Sequence, residues 1–420
     1  MSTGPYRHLE YLPEPEDPRM LTAIDPNAPG YPPEAYGATA EQAEAWRNAT
    51  NENFRRAKPR PWGIFLSLCF VSALIVSYPQ ITALFANALT PNSEWAYEDT
   101  NIYQLQDEFG LSGVGVLVCI VDTGFDPSHP DFADVNLVGY RDFVGGEHGT
   151  IQDRGDDLHG TMMAGILVAD GTYRGAAPNV GLVIAAALNS DGSTNSESTV
   201  SEAIEWCWDE MNVDIISLSL GGDPDPENPL GSQTADAVRD ALDHGVFVVA
   251  AAGNSGGAGT GVTDVSVPAN VDGVIAVGAV DQNRNLWERT ATGSMTEGAD
   301  GDARSEPNQK PEVTAPGVGI ISTSDSTMSI PYSASTGTSD STVFVTGALA
   351  LILERHGDAI PAGNSTRTGI DLVKQALADS CQPNPLQGDG HHPRWGYGTL
   401  DAVAWEHAVA DAIIENSDTN

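Results

Sequence analysis

From Gly113 onward the chain alternates short apolar runs with segments of helical periodicity, and no other feature constrains its fold as strongly. The apolar runs predict buried strands over residues 114–121, 180–187, 213–220, 246–252 and 274–280. The periodic segments predict helices over residues 161–168, 199–211, 235–244 and 342–355. Strands that alternate with helices favour a mostly parallel sheet with helices on both faces, a three-layer, doubly wound α/β fold. In such folds ligands bind beyond the carboxyl ends of the strands.

The chain is strongly acidic, with 58 acidic residues, 19 basic residues and a formal net charge of −39. Nucleic acid is excluded as a partner, because its phosphates are met by Lys and Arg side chains that release counterions. Only Lys58, Lys310 and Lys374 are lysines. A surface rich in carboxylates repels itself in dilute solution and is screened by molar salt. This composition is typical of a protein from a halophilic microbe, and an ordinary acidic secreted protein is the alternative.

The N-terminal part of the chain differs from the rest in composition. Residues 1–60 are rich in proline and acidic side chains, which predicts a disordered tail. Residues 61–89 hold no charged side chain and are long enough to cross a bilayer as a helix. Basic residues precede this segment and acidic residues follow it, so the positive-inside rule places the tail in the cytoplasm and residues 91–415 outside.

Two other interpretations of residues 61–89 stay open. The segment could be a signal peptide that is cleaved after a small-residue site near Ala88, which would release a secreted protein. It could also be a helix buried in the core of a soluble domain. The sequence thus predicts a membrane anchor through residues 61–89, with secretion after cleavage as the main alternative.

The four cysteines are too few and too scattered for a disulfide scaffold, and no metal-ligand spacing links them. We interpret Cys69, Cys119, Cys207 and Cys381 as structural thiols, between which one disulfide could form. Acidic clusters at residues 223–227 and 300–306 could bind calcium as a structural ion. Solvated surface charge is the alternative interpretation of these clusters.

Three motifs carry side chains that are capable of chemistry. Asp122 ends an apolar strand, which places its carboxylate at the ligand edge of the sheet. His159 stands at the start of a helix, whose N-terminus disfavours a charged imidazole and keeps the ring neutral near pH 7. Ser339 precedes an apolar helix, where backbone N–H groups can face a developing oxyanion. Taken singly, each residue could equally be a helix cap or a turn residue.

Taken together, in the chain order Asp, His, Ser, these motifs resemble those of the subtilases, the subtilisin-like serine proteases. The resemblance runs from about Trp95 to Ala410. Residues 216–222 look like the family's substrate-binding strand, and residues 251–255 look like the segment whose asparagine completes the oxyanion hole. Residues 310–317 and 395–398 also match the family in kind and in place.

The resemblance implies a serine endopeptidase that acts on protein or peptide substrates through an acyl-enzyme and needs no cofactor, with residues 91–415 as its peptidase domain. Asp122, His159 and Ser339 are the implied catalytic residues. The implied oxyanion donor is Asn254. Substrate binding is implied for four residues of the two supporting segments: Ser219, Leu220, Gly221 and Gly253.

The residues after the nucleophile depart from the family pattern. Subtilases usually have Met-Ala-Thr-Pro-His there, whereas this chain has Asp-Ser-Thr-Val-Phe over residues 340–344. A carboxylate directly after Ser339 could raise the pKa of His159 or oppose a nearby oxyanion. A catalytically weak, membrane-tethered subtilase scaffold that binds peptides is therefore the alternative function.

Overall fold

The computed structural model describes residues 69–73, 75–76, 93–145, 150–224, 231–256, 264–296, 301–360 and 367–419. The chain divides into two compact units, Met1–Ala88 and Leu89–Asn420. In the first unit residues 69–73 and 75–76 are helical, and the rest of the predicted tail and apolar segment lies outside the described residues. No helix in the described ranges is both long enough and apolar enough to cross a membrane.

A seven-stranded parallel sheet forms the centre of the second unit. Its strands are β1 (Leu117–Asp122), β2 (Leu137–Asp142), β3 (Gly181–Ala186), β4 (Ile215–Leu218), β5 (Phe247–Ala251), β6 (Ile275–Val280) and β7 (Val313–Pro316). They lie in the order β2-β3-β1-β4-β5-β6-β7, and every neighbouring pair is parallel. Because β1 lies between β3 and β4, the winding changes direction beside it, and this is where ligands bind in such sheets.

Helices cover both faces of this sheet, as predicted. They are α1 (Glu94–Asp99), α2 (Ile102–Phe109), α3 (His159–Val168), α4 (Glu197–Glu205), α5 (Gln233–Asp243), α6 (Thr338–His356), α7 (Arg367–Ser380) and α8 (Ala402–Thr419). Helix α6 packs across β4 to β7 and against α3, whereas α4 and α5 pack together and contact β1, β3 and β5. Strands β1 and β3 to β6 are buried on both faces, which explains their mainly apolar sequences.

All five predicted strands exist, and the differences from prediction have physical causes. Strand β2 was not predicted, because it is a half-exposed edge strand that contains a glycine and an arginine. The short strand β7 and an antiparallel hairpin of β8 (Val318–Thr323) and β9 (Tyr332–Thr336) were also not predicted. Helix α6 begins at Thr338 rather than at residue 342, since its first turn is polar and lacks the apolar periodicity. The predicted helix 199–211 is α4 followed by a π-helical turn, Trp206–Glu210.

One disulfide joins the sheet to the helix layer. The sulfur atoms of Cys119 in β1 and Cys207 after α4 are 2.00 Å apart, and the two Cα atoms are 6.0 Å apart. This is the one disulfide that the sequence analysis left open among the four cysteines, although it did not identify the pair. Packing of α4 on β1 brings together two residues separated by 88 positions in sequence, which spacing alone does not reveal. Cys69 and Cys381 are free.

Two lysines are buried in the protein and pair with a buried glutamate. The Nζ atoms of Lys310 and Lys374 each lie 2.8 Å from Oε1 of Glu312, and all three side chains are buried. Both ammonium groups also donate to the carbonyl of Val274, at 2.7 and 2.9 Å. This buried lysine cluster (Lys310, Glu312 and Lys374) ties β7 and α7 to the start of β6. Both lysines in the described part of the chain thus pair with the same buried carboxylate.

Candidate active site

The first part of the site is a buried carboxylate bonded to an imidazole. Asp122 is the last residue of β1 and is fully buried. Its Oδ1 and Oδ2 lie 2.8 and 2.9 Å from Nδ1 of His159. The backbone N–H of Thr123 donates to Oδ1 at 2.7 Å. A carboxylate on Nδ1 fixes the ring orientation and leaves Nε2 to accept a proton.

The start of α3 is held against the turn that follows β1. The N–H of Gly160 donates to Oγ1 of Thr123 at 2.9 Å, and the N–H of Thr161 donates to Oδ2 of Asp153 at 2.7 Å. Oδ1 of Asp153 also accepts the Thr123 hydroxyl at 2.7 Å. A Cβ atom at Gly160 would lie 2.2 Å from the carbonyl oxygen of Gly124, so only glycine permits this approach. Sequence analysis missed Asp153, because one carboxylate in an acidic loop gives no distinguishing signal.

Ser339 is the second residue of α6, and Gly337 is the N-cap, so Ser339 is not the helix cap. Its hydroxyl donates to the carbonyl oxygen of Ser219 at 3.1 Å, and the Ser219 hydroxyl donates to the carbonyl of Ser339 at 3.1 Å. The residue is 7% exposed. A hydroxyl has a single proton, so in this arrangement Ser339 does not donate to His159.

Asn254 lies just beyond β5 and presents its amide beside the serine. Its Oδ1 accepts hydrogen bonds from the N–H of Thr338 at 3.0 Å and from the Thr338 hydroxyl at 2.9 Å. The N–H of Gly253 donates to the same hydroxyl at 3.1 Å. Since the bond from the backbone N–H identifies the oxygen of the amide, Nδ2 lies on its other side as a donor. This is the arrangement needed to meet a negative oxygen next to Ser339.

Two cavities meet at His159 and Ser339. One, of about 910 Å³, is also lined by Asn254, Gly337 and Asp340. The other, of about 560 Å³, is lined by Asn254 and by all four residues predicted to bind substrate, Ser219, Leu220, Gly221 and Gly253. The fold therefore brings the predicted site residues to one place, with Asp122 buried behind the imidazole.

Carboxylates dominate the electrostatics of the imidazole. Burial lowers the pKa of His159, but the charges of Asp122, Asp340 and Asp157 outweigh it and raise the pKa to about 9. The prediction of a neutral ring near pH 7 is therefore wrong, because nearby carboxylates act more strongly than the helix N-terminus. The prediction that Asp340 raises the pKa of His159 is confirmed.

Within the described ranges, no group of three or more His, Cys, Asp or Glu side chains is placed to hold a metal ion. The predicted calcium cluster 223–227 is described only as far as residue 224. The cluster 300–306 is described only from residue 301. Calcium binding at either cluster stays a prediction.

A parallel α/β fold that brings an Asp–His pair, a serine and a side-chain amide to one cavity has the arrangement of a serine hydrolase. A model of the subtilase family matches residues 113–398, which is more than half of the chain. The chain belongs to the subtilase family, whose members are serine endopeptidases.

Similar proteins include several named subtilisins. Subtilisin DY of Bacillus licheniformis is 40% identical over 275 residues, which cover 64% of this chain and 88% of that protein. The major intracellular serine protease of Bacillus subtilis (strain 168) is 35% identical over 250 residues, which cover 58% of this chain and 70% of that protein. Subtilisin E of the same organism is 37% identical over 254 residues, which cover 59% of this chain and 58% of that protein.

Proposed function

We propose that this chain hydrolyses peptide bonds in proteins with Asp122, His159 and Ser339 as its catalytic triad. One observation carries the proposal: the imidazole that is bonded to the buried carboxylate lines the same cavities as the serine. The carboxylate stabilises the charged imidazole, and the serine supplies the nucleophile.

The reaction follows from this geometry in two stages. The Ser339 hydroxyl leaves the Ser219 carbonyl, and Nε2 of His159 takes its proton as Oγ attacks the peptide carbonyl carbon. The imidazolium then gives this proton to the amine nitrogen, the C–N bond breaks, and an acyl-enzyme remains. A water molecule that loses its proton to the imidazole attacks the ester, which releases the acid and restores the serine.

The substrate is held by the residues that line the smaller cavity. Residues 219–221 continue the chain beyond β4 and offer backbone groups to pair with an extended peptide, as in strand addition. Nδ2 of Asn254 and the backbone N–H of Ser339 are the two donors proposed for the oxyanion. Because the Asn254 oxygen is fixed by Thr338, the donor is in position before the substrate binds.

The test compares the full chain with Ser339→Ala in dilute buffer and in molar KCl, by fluorophosphonate labelling and peptide hydrolysis. Ser341→Ala is the matched control, since this neighbouring serine is buried in the same helix and donates to the carbonyl of Ala315. We expect labelling and hydrolysis in the wild type and in Ser341→Ala, and neither in Ser339→Ala. A folded wild type that neither labels nor cleaves would instead support the peptide-binding scaffold.

We further propose that the peptidase domain, residues 91–415, works outside the cytoplasm, with residues 61–89 as its anchor and residues 1–60 as a cytoplasmic tail. The Cys119–Cys207 disulfide supports this placement, because such bonds persist in oxidising compartments. Protease protection of intact cells, with the N-terminus of the mature protein read by mass spectrometry, tests it. A protected domain would contradict the outside location. A mature protein that begins at Leu89 would contradict anchoring, because cleavage after Ala88 removes the apolar segment.

We also propose that the reaction needs no cofactor, because each proton and each bond in the scheme is handled by side chains of the triad. Removing calcium with a chelator distinguishes this proposal from a requirement for calcium in the reaction. Dialysis against a calcium chelator should leave the initial rate unchanged, and any effect of a structural ion should appear in the unfolding temperature alone.

A further inference from the structure

Asp340 is a fully buried carboxylate with one oxygen that has no hydrogen-bond partner. It directly follows Ser339 in α6 and is 0% exposed. Its Oδ2 accepts the hydroxyl of Ser335 at 3.0 Å, whereas its Oδ1 is buried and has no hydrogen-bond partner. A buried carboxylate with an unsatisfied oxygen is costly to the folded state and requires an explanation.

The groups around Asp340 include one that can become a cation. His159 of α3, Ser335 of β9 and the buried phenol of Tyr97 of α1 face the carboxylate. The Tyr97 hydroxyl is already bonded to the carbonyl of Ile166 at 3.2 Å. No Lys or Arg is found among the described residues that line the larger cavity. The imidazolium of His159 is therefore the positive charge with which Asp340 can interact.

His159 in turn faces three carboxylates on three different elements. Asp122 comes from the end of β1, Asp157 from the loop before α3, and Asp340 from the first turn of α6. Only Asp122 is hydrogen-bonded to the ring. Asp157 is exposed, so solvent and salt screen its charge, whereas the buried Asp340 is screened much less.

We propose that Asp340 is a positioning residue that acts through His159: its buried carboxylate joins Asp122 in stabilising the imidazolium and so sets the pH range in which His159 accepts a proton. The catalytic part of this inference rests on the proposed function, whereas the effect on the imidazole does not.

The direction of the effect follows from the two ionisations. Burial raises the pKa of Asp340 to about 7, although His159 and Ser335 oppose the rise. Asp340 is therefore ionised in the range near pH 9 where His159 loses its proton. In that range its charge favours the imidazolium, so a neutral side chain at position 340 should lower the pKa of His159 and make the base available at lower pH.

The first experiment measures the imidazole directly. The full chain carrying Ser339→Ala, which prevents self-digestion, is labelled at histidine and titrated by NMR with and without Asp340→Asn. His159 is identified among the 9 histidines by the signal missing from a His159→Gln variant. We expect Asp340→Asn to lower the pKa of His159 by about one unit, the lower end of the shifts that nearby charges cause. An unchanged pKa would overturn the proposal.

Asp157→Asn is the matched control, because it removes an exposed carboxylate that also faces the ring. Its effect should be small and should vanish in about 2 M KCl, where exposed charges are screened within a few Å. The effect of Asp340→Asn should persist at the same salt concentration. Equal loss of both effects in KCl would show that burial gives Asp340 no special role.

Activity gives a second measurement that a merely structural role would not change. In the active chain, the ascending limb of the kcat/KM profile should move to lower pH in Asp340→Asn by the same amount as the titration. Asp340→Met, which introduces the residue usual in the family, should show the same shift and serves if the Asn variant does not fold. If the Ser339→Ala chain titrates as expected but the wild type does not cleave, the proposed function alone is contradicted. If the wild type cleaves but Asp340→Asn changes neither the pH profile nor the pKa of His159, the role of Asp340 is contradicted.

Discussion

The two ends of the Asn254 amide have different roles: the oxygen is bonded to Thr338, and the nitrogen is the proposed oxyanion donor beside Ser339. Asn254→Asp keeps the acceptor and removes the donor. We expect kcat to fall about 10²- to 10³-fold with little change in KM, which is the loss typical of a subtilisin deprived of one oxyanion donor.

Asn254→Ala is the companion variant, because it removes the acceptor and the donor together. Steady-state kinetics of both variants separate the two halves of the side chain. If Asn254→Asp retained the wild-type kcat, the amide nitrogen would not be an oxyanion donor. Loss of stability in Asn254→Ala alone would show that the Thr338 contacts support the fold.

The buried carboxylate of Asp340 also predicts a pH dependence of stability. Its pKa rises from the ordinary value of 3.8 to about 7 in the folded protein. Between these values the folded state holds a proton that the unfolded chain has lost, so this group's contribution to stability is present below about pH 4 and is lost as pH rises through about 7. In a Ser339→Ala background, the unfolding temperature of Asp340→Asn relative to its parent should therefore increase as pH rises from about 4 to about 7 and level off above that. A difference that stays constant with pH would contradict this prediction.

At the scale of residues, the sequence predicted which residues the fold brings together at the site, but not the hydrogen bonds that they make. Asp122, His159, Asn254 and Ser339 could be identified because each stands in a short motif at the end of a strand or the start of a helix. The role of Asp153 and the bond from Ser339 to the Ser219 carbonyl depend on how loops pack, and no local pattern encodes them. The helix N-terminus predicted a neutral His159 near pH 7, whereas its raised pKa depends on carboxylates from three separate elements, of which only Asp340 was considered from the sequence.

Among the elements, β1 carries both Asp122 and the disulfide. The bond between Cys119 and Cys207 closes a loop of 88 residues and ties β1 to the helix layer. Cys207→Ala should lower the free energy of unfolding by about 2–5 kcal/mol, because the unfolded chain gains freedom. Denaturant titration measures the loss, and Cys381→Ala is the control for a buried free thiol. Reductant should destabilise the wild type and have no effect on Cys207→Ala.

The lysine cluster predicts a second effect on stability. Burial raises the pKa of Glu312, but Lys310 and Lys374 outweigh burial and hold it below its usual range. Glu312→Gln would leave two buried lysine side chains without their shared carboxylate partner, which should cost about 3–5 kcal/mol of unfolding free energy. Asp236→Asn, which breaks an exposed pair with Arg239, should cost less than about 1 kcal/mol. Similar losses in the two variants would contradict a special role for the cluster.

The strands were predictable where burial on both faces produces a run of mainly apolar residues. That condition holds for β1 and for β3 to β6. It fails for β2 at the sheet edge and for the exposed strand β9. The first turn of α6 was missed for a related reason, since it is buried but polar and forms no apolar stripe. The hydroxyls of Thr338, Ser339 and Ser341 bond within the protein, and Asp340 between them is a buried carboxylate.

For the whole molecule, the charge of −39 sets the conditions for stability. We propose that the chain comes from a halophilic microbe, whose proteins work in concentrated salt. Raising KCl from about 0.1 M to about 2 M shortens the screening length from about 10 Å to a few Å, so repulsion between surface carboxylates should weaken and the unfolding temperature should rise. Sucrose, which does not screen charge, is the control. A temperature that did not rise with KCl would contradict the proposal.

The carbonyl oxygen of Ser219 can accept a hydrogen bond from two competing donors, the Ser339 hydroxyl and an N–H of a bound peptide. It accepts the Ser339 hydroxyl at 3.1 Å, and it also lies on the segment proposed to pair with an extended peptide. A peptide N–H that takes this oxygen deprives the hydroxyl of its acceptor and releases it toward the imidazole. On this proposal a bound peptide frees the Ser339 hydroxyl to donate to His159, whereas a small ester that does not contact Ser219 leaves the hydroxyl bonded to the Ser219 carbonyl. We therefore expect long peptides to be cleaved faster than small esters, whatever side chains they carry.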